Sequence, residues 1–399
     1  MHARPEARLP ALAGLRFAAA FGILLFHHGD RLVAGAPAWV ETLRAGGFVW
    51  VGLFYVLSGF VLAHAHPAPL SAPERRAFWA ARIARLYPAY LLAFVLAAPF
   101  ALERWAGGGE GAAAKAAAVA GASLVLVQAW IPSAARLWNA PGWSTSVVLA
   151  FYAAFPFVTA RLAPLRRRGL WLALAGAWAL SLAPPLLWLA LQPDGAVADL
   201  TWNEPRWLLA LKFHPAARAG EFLAGVALGL LHARGLSLGR AGTIAGPLAL
   251  AAAGAVVAWG GAPYVLLHNG LLVPLFAVVV LALAGGGGPL AKLLGSGPAR
   301  ALGEASFALY VLQEPVWQWG RALTGAHGPE TAIYAACWAL AAIAIAVAVS
   351  RELERPARRA LRAFIGRYAP APRRAPVSSP PAPTAPAATA PTDPRPLRP

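Results

Sequence analysis

The feature that most constrains this chain is a series of apolar segments long enough to cross a lipid bilayer. A helix rises about 1.5 Å per residue, so about 20 residues span a hydrocarbon core of about 30 Å. Because a helix satisfies its own backbone N–H and C=O groups, these segments predict an all-α, polytopic membrane helical bundle. The candidate segments are residues 9–28, 46–65, 86–102, 112–131, 143–162, 169–191, 217–232, 241–259, 264–284, 304–320 and 331–349.

The distribution of Lys and Arg orders these segments across the membrane. Basic clusters, which favour cytoplasmic loops, occur near the N-terminus, at 75–85 and at 161–168. Three apolar segments separate the last two clusters. Two loops on the same side of the membrane must be separated by an even number of crossings, so one of the three segments does not cross. The Ala-rich segment 112–131 is the weakest of the three, and we interpret it as a re-entrant or interfacial helix. The sequence thus predicts about ten transmembrane helices in the cell (inner or plasma) membrane, with both termini cytoplasmic.

Composition excludes several other classes of protein. Hydrophobic residues make up 59% of the 399 residues and charged residues only 13%, which is typical of a chain that is solvated by lipid. The net charge of +18 lies mainly in loops, where topology explains it, so we expect no nucleic-acid partner. The single cysteine, Cys337, excludes internal disulfides and thiolate clusters, and no metal site is predicted. We assign residues 1–368 to one transmembrane domain and the Pro- and Ala-rich residues 369–399 to a disordered cytoplasmic tail.

The first apolar segment, "GLRFAAAFGILLFHHGD", carries ionisable residues at both ends. Arg16 and His27 are 11 positions apart, which places them on nearly the same helix face and about 16 Å apart. An arginine inside a spanning helix costs about 2.5–3.5 kcal/mol on insertion scales, so a function is one explanation for Arg16. The alternative is that Arg16 reaches the cytoplasmic interface and that His27 and His28 mark the outer one.

A second basic pair lies in "FWAARIARLYPAYLL", residues 78–92. Arg82 and Arg85 are about one helical turn apart, just before Pro88. Two guanidinium groups at this spacing can hold a phosphate through charge-assisted, bidentate hydrogen bonds. The alternative is ordinary anchoring of the helix at the cytoplasmic surface by positive charge.

Seven short motifs occur in a fixed order between about residue 9 and residue 360. They are "LAGLRFAAAFGILLFHH", "GLFYVLSGF", "RIARLYP", "GWSTSVVLAFYAAFP", "EFLAGVALG", "LGEASFALYVLQEPV" and "RELERPARR". In this set the chain resembles the acyltransferase 3 family of integral membrane acyltransferases. That family moves acyl groups, often acetyl, from cytoplasmic acyl-CoA to hydroxyls of sugars, cell-envelope polysaccharides or other small acceptors. The resemblance implies acyl-CoA as co-substrate, a carbohydrate or other hydroxyl acceptor, and no permanently bound cofactor.

The resemblance also implies roles for particular residues. His27 would act as the general base that takes the proton from the acceptor hydroxyl. Arg82 and Arg85 would hold the phosphates of coenzyme A, and Arg16 would line the path of the pantetheine and acyl arm. The other substrate-binding residues that these motifs imply are Trp143, Ser144, Tyr310 and Gln313.

Two positions depart from the family pattern. Val148 stands where the family usually has a glutamate, and Gln313 where it usually has a histidine. Glu314, Glu221 or Ser146 could substitute, and we take Glu314, which lies inside an apolar segment, as the second catalytic candidate.

Each of the two glutamates also has a structural interpretation. Glu314 could be neutralised by an arginine of a neighbouring helix. Glu221 could form an ion pair with Arg218, three residues earlier on its own helix. Three hypotheses for the whole chain therefore stay open: an acyltransferase, a degenerate relative without turnover, and a transporter or flippase of a small envelope precursor.

Overall fold

The computed structural model describes residues 9–197, 200, 205–325 and 331–368, and every regular element within them is helical, as the sequence predicts. The predicted tail, residues 369–399, lies outside the described residues. The α-helices are α1 (Pro10–His28), α2 (Ala38–Ala45), α3 (Trp50–Ala65), α4 (Ala72–Glu103), α5 (Ala112–Leu124), α6 (Gly142–Leu162), α7 (Arg167–Leu191), α8 (Arg206–Phe213), α9 (Pro215–Ala233), α10 (Gly242–Trp259), α11 (Tyr264–His268), α12 (Val273–Ala284), α13 (Gly288–Leu294), α14 (Gly297–Thr324), α15 (Ala332–Val349) and α16 (Arg355–Tyr368).

Eight helical segments of the described chain are long and apolar enough to cross a membrane. They are Pro10–His28, Ala38–Ala65, Ala72–Glu103, Gly142–Leu162, Arg167–Leu191, Gly239–Trp259, Tyr264–Ala284 and Ala332–Ala360. Helices α9 and α14, with 19 and 28 residues, coincide with two further predicted segments, 217–232 and 304–320. Helix α5 has 13 residues and is about 20 Å long, which is too short to cross the membrane. This length agrees with the interpretation of 112–131 as a re-entrant or interfacial helix. The multi-pass helical fold is confirmed, whereas ten crossings and cytoplasmic termini stay predictions.

Helix α4 is much longer than the apolar segment 86–102 that predicts it. It begins at Ala72, where the N–H of Ser71 donates to the Glu74 carboxylate at 2.8 Å and so closes a capping box. The added turns are basic and amphipathic, so hydropathy does not reveal them. They extend the helix so that Arg82 and Arg85 lie well inside it.

Two long helices each contain a proline, and a side chain from another segment donates the hydrogen bond that the proline cannot. Proline has no N–H, so the carbonyl four residues earlier loses its donor. In α6 the carbonyl opposite Pro156 belongs to Tyr152, and Trp79 Nε1 donates to it at 3.0 Å. In α14 the carbonyl opposite Pro315 belongs to Val311, and Asn139 Nδ2 donates to it at 3.0 Å. These bonds fix both helices to their neighbours, because a carbonyl left without a donor is costly in an apolar interior.

Small residues allow α3 and α9 to pack backbone to backbone. A Cβ atom on Gly59 would collide with the carbonyl of Phe222, and one on Gly225 would collide with the carbonyl of Val56. Gly59 and Gly225 therefore allow the close contact of the two helices. The two largest apolar clusters of the described residues share helices α1, α3 and α9, which contribute side chains to both.

The segment Tyr264–Ala284 is broken between α11 and α12. Gly270 has φ +86°, a conformation that favours glycine. Trp178 Nε1 donates to the carbonyl of Gly270 at 3.1 Å, and the Gly270 N–H donates to Glu221 Oε1 at 3.4 Å. Non-helical backbone is tolerated at membrane depth only where protein groups satisfy it, and here α7 and α9 supply those groups.

Candidate functional site

Two cavities within the bundle contain most of the predicted site residues. The first, here called the arginine cavity, is lined by Arg16, Arg82 and Arg85 and has a volume of about 120 Å³. The second, here called the histidine cavity, is lined by His27, Trp143 and Glu314 and has a volume of about 200 Å³. Val51 and Tyr310 line both cavities, so the two are adjacent.

The arginine cavity combines three guanidinium groups with apolar walls. Arg16 comes from α1, and Arg82 and Arg85 come from the extended first half of α4. The Arg82 guanidinium lies 5.5 Å from the centre of the Phe78 ring and 5.9 Å from that of Tyr152, within the range of cation–π attraction. The structure thus brings together the three arginines that the sequence analysis assigned to coenzyme A.

His66, which follows α3, lies close to this cationic region. Its burial, together with the nearby Arg82 guanidinium, lowers the pKa of His66 below the ordinary value of 6.5. His66 is therefore neutral at pH 7 and adds no positive charge beside the arginines.

The start of α6 and the middle of α14 form the boundary between the cavities. The Ser144 hydroxyl, which lines the arginine cavity, donates to the Tyr310 hydroxyl at 2.7 Å. Trp143, the preceding residue, lines the histidine cavity instead, because successive residues of a helix point about 100° apart. Val148, one turn after Ser144, lines the arginine cavity and gives it an apolar surface where the family usually has a carboxylate.

His27 lies at the end of α1 and faces the histidine cavity. Its Nδ1 atom is buried and has no hydrogen-bond partner among the described residues. Its ring interacts with the side chain of Gln313, whose Nε2 donates to the carbonyl of Tyr310 at 2.9 Å. The imidazole therefore keeps hydrogen-bonding capacity for a molecule in the cavity.

Glu314 lines the same cavity, but its close contacts are to other groups. Its Oε2 lies 3.4 Å from His28 Nε2, and its Oε1 accepts a hydrogen bond from Gln318 at 2.9 Å. The guanidinium groups of Arg104 and Arg136 also act on it electrostatically. His28 is thus within ion-pair distance of Glu314, and neutralisation of this carboxylate by an arginine stays a prediction.

The other two candidate replacements for the family glutamate do not line either cavity. Glu221 forms an ion pair with Arg218 at 2.9 Å, and the two side chains are 3% and 0% exposed, which confirms the predicted pairing. The Ser146 hydroxyl donates to the carbonyl of Leu126 at 2.6 Å and accepts from the N–H of Ala129 at 3.3 Å. Both residues join structural elements.

Sequence reasoning missed three ionisable residues of the histidine cavity: Arg136, Lys212 and His268. Arg136 lies 5.6 Å from the Phe213 ring, and Lys212 donates to the carbonyl of Leu200 at 3.2 Å. Arg136 and Lys212 belong to polar segments between apolar runs, where nothing in the local sequence indicates a cavity. Only His268 carried a usable signal, because an ionisable residue inside an apolar run is costly.

Comparison with known proteins identifies the family. The acyltransferase 3 family model, described as an acyltransferase domain, matches residues 9–351. The acyltransferase MdmB of Streptomyces mycarofaciens is 30% identical over 328 residues, which cover 80% of this chain and 81% of that protein. Protein 2 in the picA locus of Rhizobium radiobacter is 36% identical over 102 residues, which cover 25% of this chain and 49% of that protein.

No solved structure has significant similarity to the chain. The family match nevertheless spans nearly all of the helical bundle, and the alignment with MdmB covers most of both proteins. The resemblance that the seven motifs indicate is thus confirmed, and the chain belongs to the acyltransferase 3 family of membrane acyltransferases.

Proposed function

We propose that this protein transfers an acyl group, with acetyl the first to test, from acyl-CoA to a hydroxyl of a carbohydrate, a cell-envelope polysaccharide or a secondary metabolite. The observation that carries the proposal is the adjacency of the two cavities at Val51 and Tyr310. A cationic site for a phosphorylated donor and an imidazole for the acceptor lie on opposite sides of one boundary. An acyl transfer between two different molecules requires two such sites.

The donor would bind in the arginine cavity. Arg82 and Arg85 hold the phosphates of coenzyme A, and each charge-assisted hydrogen bond is worth about 1.5–3 kcal/mol. Arg16 and the surrounding apolar side chains accommodate the pantetheine and acyl arm. Tyr310 and Ser144 mark the position that the thioester reaches next to the histidine cavity.

The acceptor would bind in the histidine cavity, beside His27. The neutral imidazole takes the proton of the acceptor hydroxyl as its oxygen attacks the thioester carbonyl carbon. When the carbon–sulfur bond breaks, the coenzyme A thiolate leaves and receives that proton from the imidazolium. Gln313 holds the ring of His27, and Trp143 and Glu314 contact the acceptor. We do not assign Glu314 as the partner of His27, because its contacts are to His28 and Gln318.

A second candidate is a relative that binds coenzyme A without turnover. Val148 favours it, since the arginine cavity has an apolar surface where the family usually has a glutamate. A transporter is the third outcome that the experiment must separate.

The test uses purified protein in liposomes with radiolabelled acetyl-CoA and a panel of methyl glycosides. We expect acetylated glycoside and free coenzyme A from the wild type, and neither from His27→Ala. Coenzyme A binding without product would support the degenerate relative. Uptake of a glycoside without loss of the thioester would support the transporter, and either result would overturn the proposal.

A further inference from the structure

His268 is a second imidazole in the histidine cavity, and the proposed chemistry does not use it. It is the last residue of α11 and only 5% exposed. Its ring centre lies 5.6 Å from that of Phe48, 5.7 Å from that of Tyr264 and 6.4 Å from that of Trp143. Three aromatic rings therefore fix the plane of the imidazole.

A buried polar cluster holds the other edge of this ring. Arg218, whose side chain is entirely buried, donates to the backbone carbonyl of His268 and lies 2.6 Å from its Nδ1. The same guanidinium nitrogen donates to Asn269 Oδ1 at 3.0 Å, and Glu221 neutralises the charge. Asn269 Oδ1 is also 2.8 Å from His268 Nδ1.

The orientation of the Asn269 amide is fixed as well. Its Nδ2 donates to the carbonyl of Leu211 at 3.0 Å, so its Oδ1 faces Arg218 and His268. With Nδ1 enclosed by Arg218 and Asn269, Nε2 is the ring nitrogen that remains for a molecule in the cavity.

This cluster has a structural purpose at the break between α11 and α12, because the backbone carbonyl and N–H groups of the break need hydrogen-bond partners. That purpose does not require a histidine at 268, since Arg218 bonds the carbonyl of this residue. The choice of an imidazole, whose ring lines the cavity, therefore needs a separate explanation.

We propose that His268 binds the acceptor, through a hydrogen bond between Nε2 and a hydroxyl of a sugar-like, polyhydroxylated molecule, and that Arg218 and Asn269 are positioning residues for its ring. This inference rests on the proposed acyltransferase function. His268 lines the histidine cavity and not the arginine cavity, so it serves the acceptor and not coenzyme A. Walls of aromatic rings with a few fixed polar groups are the usual construction of a site for a small organic molecule.

The experiment compares acceptor transfer with thioester hydrolysis, in which water replaces the acceptor and no acceptor site is needed. Full-length protein in liposomes is supplied with radiolabelled acetyl-CoA, with or without methyl α-glucopyranoside, methyl α-rhamnopyranoside or methyl N-acetylglucosaminide. The variants are His268→Ala, His268→Gln and Asn269→Ala. His232→Ala is the matched control, because this histidine lies at the end of α9 and lines neither cavity.

We expect His268→Ala to raise the KM for the glycoside about three- to tenfold, the range for one lost neutral hydrogen bond. The KM for acetyl-CoA and the rate of hydrolysis stay unchanged. His268→Gln restores part of the loss, because its amide can still form a hydrogen bond with a hydroxyl, and Asn269→Ala gives a smaller rise in the same KM. His232→Ala matches the wild type.

An unchanged KM for the glycoside in His268→Ala, or an equal rise in both KM values, would overturn the inference and leave the proposed function intact. If His268→Ala does not fold, His268→Gln and Asn269→Ala decide by the same criterion. Acetyl transfer by the wild type to none of these glycosides would overturn this inference, and coenzyme A binding with neither transfer nor hydrolysis would overturn the proposed function as well.

Discussion

The two cavities share a boundary but are built in different ways. The arginine cavity is lined by five long helices, α1, α3, α4, α6 and α14, and its charges follow from spacing along two of them. The histidine cavity also draws on the short helices α8 and α11 and on segments that connect helices. A site set by helical periodicity can be predicted from the sequence, whereas a site assembled from short segments cannot. The proposed donor side thus belongs to the regular part of the protein, and the proposed acceptor side to the irregular part.

The strongest test of this comparison is the substitution His27→Ala. Loss of a general base lowers turnover about 10²- to 10⁴-fold. The affinity for coenzyme A should not change, because His27 does not line the arginine cavity. Turnover and equilibrium binding of radiolabelled coenzyme A measure the two effects. Equal loss of both would mean that the cavities do not function separately.

The stability of the histidine cavity depends on the buried pair Arg218–Glu221. Glu221→Ala leaves the arginine charge without its partner, which costs about 3–5 kcal/mol in a buried site. The matched control is Glu304→Ala, because Glu304 pairs with Arg355 at 2.6 Å with 48% of its side chain exposed, a type of pair worth about 0–1 kcal/mol. Unfolding of the detergent-solubilised variants measures the difference. A similar loss of stability in both would contradict the assignment of the buried pair.

The donor side is tested by the double substitution Arg82→Gln, Arg85→Gln. We expect the KM for acetyl-CoA to rise about tenfold or more for each arginine, since each charge-assisted hydrogen bond contributes about 1.5–3 kcal/mol. The KM for the acceptor should stay the same. Arg75→Gln, Arg76→Gln is the control, because these residues belong to the same helix and line neither cavity. An unchanged KM for acetyl-CoA would remove Arg82 and Arg85 from the site.

A packing defect should affect both cavities together, in contrast to the side-chain substitutions. Gly225→Ala forces α9 away from α3, which lines both cavities, and overpacking of this kind costs about 1–3 kcal/mol. Gly176→Ala in α7 has open space around the new Cβ atom, so we expect no destabilisation. Thermal unfolding and both KM values measure the outcome. Equal stability of the two variants would show that α3 and α9 are not in close contact.

The smallest effect is expected at the boundary, for Tyr310→Phe. The substitution removes one neutral hydrogen bond, worth about 0.5–1.5 kcal/mol. Ser144 retains an acceptor, because its hydroxyl also lies 3.2 Å from the carbonyl of Pro141. We therefore expect turnover to fall by less than about tenfold with both KM values nearly unchanged. A selective rise in one KM would assign Tyr310 to that cavity alone.

The sequence predicted the helical class and most of the spanning segments. It also predicted the Arg218–Glu221 pair, and the family resemblance grouped Arg82 and Arg85 with Arg16, which line one cavity with it. It did not predict the early start of α4, because hydropathy does not record a basic amphipathic turn. It did not single out Arg136 or Lys212, since nothing in their local sequence indicates a cavity.

What the sequence by itself determined is a lipid-solvated bundle of apolar helices, with arginines and a histidine spaced along them to face its interior. This follows from local physics, because apolar length and helical periodicity act within one segment. Only the tertiary structure decided that Glu314 contacts His28, that Ser146 joins two elements, and that His268 lies in the same cavity as His27. These contacts join residues far apart in the chain, and their free energy depends on how the helices pack together.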